Sequence, residues 1–212
     1  MAIEKFTTRA LIINHYINGE HDTMLKVYTE DFGLIMVLAK SLRKREGRLK
    51  AHVRKYHYVD LTIIKGKEIY RLVGATEINL ISSNINKKQN LIAEISKLIE
   101  RLYGGEIKQA SLFNKIFNYI NQYHQESICD FDILHKERNY ENKKSNIDYS
   151  IYKIAIYSII LIELGHMDAN ILGIKDISEY KAMSIEDLLL NVSLYRSNIN
   201  RELHKAIRES ML

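Results

Sequence analysis

The chain of 212 residues has no proline and one cysteine, Cys129. A single cysteine excludes an intrachain disulfide framework and any thiolate metal site built within one chain. Nothing around Cys129 suggests an activated nucleophile, so a small core residue is expected there. The missing proline, beside 14 tyrosines, reads as the codon bias of an AT-rich coding sequence and carries no functional weight. Long apolar runs are also missing. The start, Met1-Ala2-Ile3-Glu4-Lys5-Phe6, lacks the apolar stretch of a signal peptide. The most apolar segment, Ile154 to Leu164, follows Lys153 and contains Glu163. It is far short of the ~20 residues that a bilayer requires. A buried helix in a cytoplasmic protein, with no membrane contact, is the expectation. At 46% hydrophobic and 27% charged, the composition is that of a soluble globular chain with a core of its own.

Catalytic signatures are absent as well. The sequence has no phosphate-cradling glycine loop, no dinucleotide fingerprint, no His-Glu-x-x-His and no Gly-x-Ser-x-Gly. Its eight histidines, His15, His21, His52, His57, His124, His135, His166 and His204, are scattered. His21-Asp22 is the one adjacent acid–base pair of interest, but neighbours on a strand point to opposite faces, and a surface turn explains it better. The chain is therefore expected to be neither an enzyme nor a binder of a small-molecule substrate, and to need no metal or other cofactor.

What is present is charge in one place. The net charge is +5. Residues 1–80 hold 14 Lys and Arg against 9 Asp and Glu, and residues 81–212 hold 17 of each. The excess therefore lies wholly in the first part. Between Lys40 and Lys55 stand Lys40, Arg43, Lys44, Arg45, Arg48, Lys50, Arg54 and Lys55, with Glu46 the only acid. A net +7 in sixteen residues repels itself unless a polyanion faces it, and phosphate is the expected counterpart. His52 and His57 lie in the same tract and add charge at low pH.

The chain changes periodicity near residue 85. Before it, Gly19, Gly33, Gly47, Gly66 and Gly74 punctuate β-rich runs. The expected strands are Thr8–Tyr16, Thr23–Thr29, Gly33–Lys40, Lys55–Ile64 and Glu68–Val73, with hairpin turns at Asn18-Gly19 and Lys65-Gly66-Lys67. Five short strands suggest a small barrel, because closure removes exposed edges. Alternation puts Val59, Leu61 and Ile63 on one face and Tyr56, Tyr58, Asp60 and Thr62 on the other. In the same way Leu25 and Val27 point inward, with Lys26 and Tyr28 outside. Outward tyrosines beside lysines suit base stacking. They equally suit packing against elements that flank the barrel.

After residue 85 the pattern is helical. Leu91, Ile92, Ile95, Leu98, Ile99 and Leu102 form one apolar stripe, ended by Gly104-Gly105. Leu112, Phe113, Ile116, Phe117 and Ile120 form another. Ser184 with Asp187 resembles a capping box for a helix burying Ile185, Leu188, Leu189 and Val192. A last helix runs through Ile199, Leu203 and Ile207, and the polar stretch Asn139–Ser145 reads as a loop. The expected fold class is α+β: a five-stranded β-barrel over residues 1–80, then an all-α helical domain over 81–212.

Three segments in order carry a family resemblance. They are Ile17-Asn18-Gly19-Glu20-His21-Asp22, then Val27-Tyr28-Thr29-Glu30-Asp31-Phe32-Gly33-Leu34-Ile35, then Val37-Leu38-Ala39-Lys40-Ser41-Leu42-Arg43-Lys44. Together they resemble the amino-terminal region of the RecO family of recombination mediators, with its Gly-Glu-x-Asp turn, Thr-x-x-x-Gly hairpin and Ala-Lys-Gly-x-Arg-Lys stretch. The segment Ile160-Leu161-Ile162-Glu163-Leu164-Gly165-His166 is more loosely similar to that family's carboxy-terminal domain. Two positions depart from the pattern. Ser41 stands where the family usually has glycine. Asp168-Ala169-Asn170-Ile171-Leu172-Gly173 has no cysteine where many relatives carry a four-cysteine zinc module, so no zinc is expected.

The resemblance implies an OB-fold barrel joined to a helical domain. It also implies the family's activities in DNA repair, DNA recombination and the response to DNA damage: binding single- and double-stranded DNA, annealing strands, and loading recombinase onto DNA coated by single-strand-binding protein (SSB), with RecR. Expected DNA-binding residues are Lys40, Arg43, Lys44, Arg45, Arg48, Lys50, Arg54 and Lys55, joined by Lys26, Tyr56 and Tyr58. The resemblance supports Lys40, Arg43 and Lys44 among these; the other positions rest on charge clustering and strand parity. Two other readings share the electrostatics: an adaptor docking an acidic partner tail, and an RNA-binding OB-fold protein.

Overall fold

The computed structural model describes residues 4–44, 49–66, 69–78, 85–125, 149–174 and 177–209. Five strands come first: β1 (Lys5–Asn18), β2 (Asp22–Thr29), β3 (Gly33–Ala39), β4 (Tyr58–Lys65) and β5 (Tyr70–Glu77). They close into a barrel in the order β1-β2-β3-β5-β4, antiparallel except for the β3–β5 pair. This is an OB-fold, followed by helices. The long β1 serves both sides of the closure. Its first half pairs with β4, from Lys5 opposite Ile64 to Leu11 opposite Tyr58; along β2 it runs from Ala10 opposite Thr29 to Asn18 opposite Asp22, through a shift between Ile12 and Asn14. A bulge of this kind bends a strand enough to close a small barrel.

Alternation fills the inside. Ala10, Ile12, Leu25, Val27, Ile35, Val37, Val59, Leu61 and Ile63 form the barrel core. The outer face is not left to water. Leu11, Ile13, Tyr28 and Tyr58 are also buried, because the next elements lie against them. Tyr28 packs on Tyr103 and Phe113 with ring centroids 5.1 and 5.5 Å apart, and Tyr58 packs on Phe113 at 6.0 Å.

The Thr29-x-x-x-Gly33 turn closes the β2–β3 hairpin. The Thr29 hydroxyl donates to the Gly33 carbonyl at 2.9 Å and accepts from the Phe32 N–H at 3.0 Å. Gly33 has φ +71°, and a Cβ there would collide with the backbone of Ile107. Only glycine meets both demands. Around the turn, Glu30 accepts two hydrogen bonds of 2.9 Å from the Arg9 guanidinium and a third from Asn114. Asp31 accepts from Thr8 at 2.8 Å and from Lys108 at 3.0 Å.

Among the described residues six helices follow: α1 (Ile85–Leu102), α2 (Ala110–Gln125), α3 (Tyr149–Glu163), α4 (Ile177–Ala182), α5 (Ile185–Leu194) and α6 (Arg196–Glu209), with a 3₁₀ turn at Ala169–Leu172. By compactness the chain divides into Met1–Asn114 and Lys115–Leu212, a division that falls within α2. In the first unit, the α1 stripe Leu91, Ile92, Ile95, Leu98 and Ile99 is buried as its spacing requires. In the second, α3 buries Ile154, Ala155, Ile156, Ile159, Ile160 and Leu161, which accounts for the apolar run read from the sequence. The Ser184 cap is present: its hydroxyl accepts from the Asp187 N–H at 3.1 Å and lies 2.7 Å from the Asp187 carboxylate. Segment 168–173 is a capped turn, with the Asn170 N–H donating to Asp168 at 2.9 Å and Leu172 buried. Cys129, His135 and Asn139–Ser145 lie outside the described residues.

All five strands depart from the expected bounds: β1 extends beyond Thr8–Tyr16 at both ends, β2 and β3 differ by one residue, β4 is shifted and β5 ends later. β4 begins at Tyr58 rather than Lys55, because Tyr56 takes a left-handed φ of +67° that breaks the extended run. β5 spans Tyr70–Glu77 and ends later than the expected Val73; Glu68 lies outside the described residues. A register shift between Thr62, opposite Gly74, and Ile63, opposite Leu72, accommodates the extra residue Val73 without ending the strand.

Candidate nucleic-acid interface

The basic tract is the connection between β3 and β4. Its charged residues are interleaved with Leu42, Leu49 and Val53, and these three turn inward. Leu42 and Val53 are buried members of the barrel core, and Leu49 packs against it. They cap one end of the barrel, and burying them holds the loop on the protein. The residues between them are left facing water. Lys40, Arg43, Lys44, Lys50, Arg54 and Lys55 are all exposed. Arg45 and Arg48 lie outside the described residues.

Both ends of the loop are tied by hydrogen bonds. At its start Ser41 has φ +54°, a left-handed conformation that favours glycine. A glycine would adopt that conformation without strain. The Ser41 N–H donates to the Asp22 carboxylate at 2.7 Å. The Arg43 N–H donates to the His21 carbonyl at 3.0 Å, and its Nη1 donates to the Gly19 carbonyl at 3.2 Å. Two of the three motifs thus meet: the acid of Gly-Glu-x-Asp anchors the turn of Ala-Lys-Ser-x-Arg-Lys. Asp22 is a loop anchor, not an acid–base partner for His21. At the far end the Tyr56 N–H donates to the Ile12 carbonyl at 2.8 Å, and the Ile12 N–H donates to His57 at 3.0 Å. The Lys55 ammonium stands 5.0 Å from the Tyr56 ring centroid.

Nine of the eleven expected contact residues are described, and they separate into three groups. Among the described residues, Lys40, Arg43, Lys44, Lys50 and Lys55 have no acidic partner. Two cations are engaged elsewhere. Arg54 donates through Nη2 to both oxygens of Glu77, at 2.8 and 2.9 Å. Lys26, on β2, pairs at 3.2 Å with Glu100 of α1, which also accepts from the Tyr16 hydroxyl at 2.9 Å. The aromatic pair divides. Tyr56 is half-buried at the loop end. Tyr58 is 2% exposed, so it presents no ring face to a base; its outward parity was read correctly, but Phe113 covers that side. Burial pushes the Tyr58 hydroxyl far above its ordinary value.

Glu77, not singled out in the sequence, closes the site on one side. Its carboxylate also lies 2.7 Å from His57 Nδ1. Burial pushes this carboxyl up, but hydrogen bonds from Arg54 and His57 outweigh that and leave it below the ordinary value. Among the described residues no group of three His, Cys, Asp or Glu side chains converges as a metal site would require, and no helix is long and apolar enough to cross a membrane. The arrangement suits electrostatic attraction of a phosphate polymer: ammonium groups act as point charges, and a guanidinium offers a fork of donors.

Residues 1–81 match the family described as Recombination protein O N terminal. Among curated relatives, a DNA repair protein RecO of Dehalococcoides mccartyi is 37% identical over 73 residues, 34% of this chain and 29% of that protein. A DNA repair protein RecO of Alkaliphilus metalliredigens is 27% identical over 115 residues, 54% of this chain and 46% of that protein. A third, from Clostridium kluyveri, is 29% identical over 107 residues, 50% of this chain and 39% of that protein. The matched region thus spans less than half the length of each of these relatives.

Proposed function

We propose that this chain, whose residues 1–81 match the amino-terminal domain of the RecO family, is a non-enzymatic DNA-repair protein that binds single- and double-stranded DNA and anneals complementary strands. In the same reading it helps to load recombinase onto SSB-coated DNA, with RecR and SSB as partners. The observation that carries the proposal is the loop between β3 and β4. Its apolar residues Leu42, Leu49 and Val53 lie on the barrel core, while Lys40, Arg43, Lys44, Lys50 and Lys55 stand exposed with no acidic partner among the described residues. Arg45 and Arg48 belong to the same tract by sequence.

Phosphate contacts hold nucleic acid without reading its sequence, as a protein acting on any damaged strand must. Annealing follows from the same charges, because cations between two backbones lower the repulsion that keeps complementary strands apart.

The test is the salt dependence of affinity for a single-stranded oligo(dT). Five phosphate contacts, at about 0.7 each, give a log–log slope of about −3.5. Replacing Lys40 and Lys44 by Gln brings it to about −2.1 by the same coefficient. A wild-type slope near zero overturns the reading. Equal competition by an RNA oligomer of the same length replaces DNA by RNA as the ligand. Reversing Arg43, Lys44 and Arg45 to Glu separates this function from an adaptor: loss of acidic-peptide binding with DNA affinity intact assigns the loop to a protein tail.

A further inference from the structure

Arg54 differs from the other exposed cations of its loop in having an anion already in hand. Its Nη2 reaches both Glu77 oxygens, at 2.8 and 2.9 Å. The two side chains are unequally placed: that of Arg54 is 56% exposed and that of Glu77 only 20%. The carboxylate is also fixed from behind. Glu77 ends β5 opposite Val59 in the β4 ladder, and His57, itself 18% exposed, lies 2.7 Å from the same carboxylate oxygen. A part-buried carboxylate held from behind therefore meets an exposed guanidinium, and the two oxygens it offers resemble the two unesterified oxygens of a phosphodiester.

We propose that Glu77 is an intramolecular competitor for the DNA backbone, withholding Arg54 from phosphate and so limiting the number of strand contacts the loop makes. This rests on the DNA-binding reading above and concerns the regulation of that same surface. The physical argument is one of counterions. A cation gains affinity for a polyanion by releasing a condensed counterion, and the release shows in the salt slope. Arg54, neutralised by a carboxylate on its own chain, brings no net charge to the strand and drops out of the count. An annealing protein benefits from such a limit, because a strand held at too many points is not handed on.

The measurement is the salt slope of oligo(dT) binding by the full chain and three variants. Glu77→Gln keeps the side-chain volume and one acceptor oxygen for His57 while removing the charge. It is expected to steepen the slope from about −3.5 to about −4.2, which is about five-fold tighter binding at 0.1 M salt. Glu77→Gln with Arg54→Gln is expected to return to the wild-type slope, because the pair is removed at constant net charge. Glu77→Asp, which keeps the anion, is expected to stay at the wild-type slope. Far-ultraviolet circular dichroism of each variant confirms the fold.

A Glu77→Gln slope equal to that of the wild type overturns the inference and leaves the DNA-binding reading standing. So does a double variant that stays steep, since the gain then does not come through Arg54. A steepened Glu77→Asp variant overturns it too, because loosening of the loop rather than loss of charge then explains the effect. A wild-type slope near zero removes both the inference and the reading on which it rests.

Discussion

At the turn between β2 and β3, Arg9, Glu30, Asn114, Asp31, Thr8 and Lys108 satisfy one another, whereas the loop between β3 and β4 presents Lys40, Arg43, Lys44, Lys50 and Lys55 with no acidic partner among the described residues. Both connections join neighbouring parts of one barrel, and both are anchored by apolar or hydrogen-bonded residues beneath. They differ in where the charges are spent. The first turn uses ion pairs to tie itself to Arg9 of β1 and to Lys108, and a hydrogen bond to reach Asn114 of α2. The second uses Leu42, Leu49 and Val53 for attachment and leaves its charges available. Attachment and exposed charge thus draw on different side chains of the same barrel, and substitutions should separate them.

The largest effect is expected at Gly33. Gly33→Ala places a Cβ at φ +71° and against the Ile107 backbone. About 3 kcal/mol of stability should be lost, combining left-handed strain with overpacking. Urea unfolding reads this. If the two connections are independent, the folded fraction keeps the wild-type salt slope in DNA binding. A slope that collapses with stability would show that the two are one unit.

Arg9→Gln should cost less, about 1 kcal/mol, because the pair with Glu30 is partly exposed. It also probes acid stability. The hydrogen bond from Arg9 outweighs burial and holds the Glu30 carboxyl below its ordinary value. Hydrogen bonds from Lys108 and then Thr8 do the same for Asp31. A depressed carboxyl binds fewer protons when folded than when unfolded, so its contribution is present in full above the ordinary values of 4.5 and 3.8 and is lost as pH falls through the lower folded values. Wild-type stability should therefore drop on acidification below about pH 5, and Arg9→Gln should flatten that drop. Thermal melts across this range decide it; an equally steep drop in the variant would place the acid sensitivity elsewhere.

The smallest effect lies on the basic loop. Ser41→Gly relieves the left-handed strain at φ +54° but adds freedom to the unfolded chain, for a net gain of about 0.5 kcal/mol. The salt slope should not move, because Asp22 still accepts from the backbone N–H of residue 41. A changed slope would mean that the serine hydroxyl shapes the charged surface.

Much of this was legible beforehand, and the exceptions share a cause. Strand alternation in Val59, Leu61 and Ile63 identified the barrel interior, because a two-residue period carries that information locally. The α1 stripe from Leu91 to Ile99 and the Ser184 cap were readable for the same reason. Parity also placed Tyr28 and Tyr58 outside the barrel, but what lies over an outer face depends on Tyr103 and Phe113, 55 to 85 residues along the chain. The role of Leu42, Leu49 and Val53 was hidden by the charge around them, although three apolar residues spaced through a basic run are a usable sign of a loop pinned to a core. Glu77 carried no local signal. Its importance comes only from meeting Arg54 and His57.

From the amino acids alone came the change of periodicity near residue 85, the barrel followed by helices, the family motifs, and the concentration of positive charge between Lys40 and Lys55. All of these are properties of neighbours in the chain, where steric preference and side-chain spacing act directly. Which cations remain unpaired, which tyrosine is covered, and why residue 41 favours glycine were settled only when Asp22, Glu77, Glu100 and Phe113 arrived from distant positions. Coulomb and packing energies depend on distance in space, and folding sets those distances.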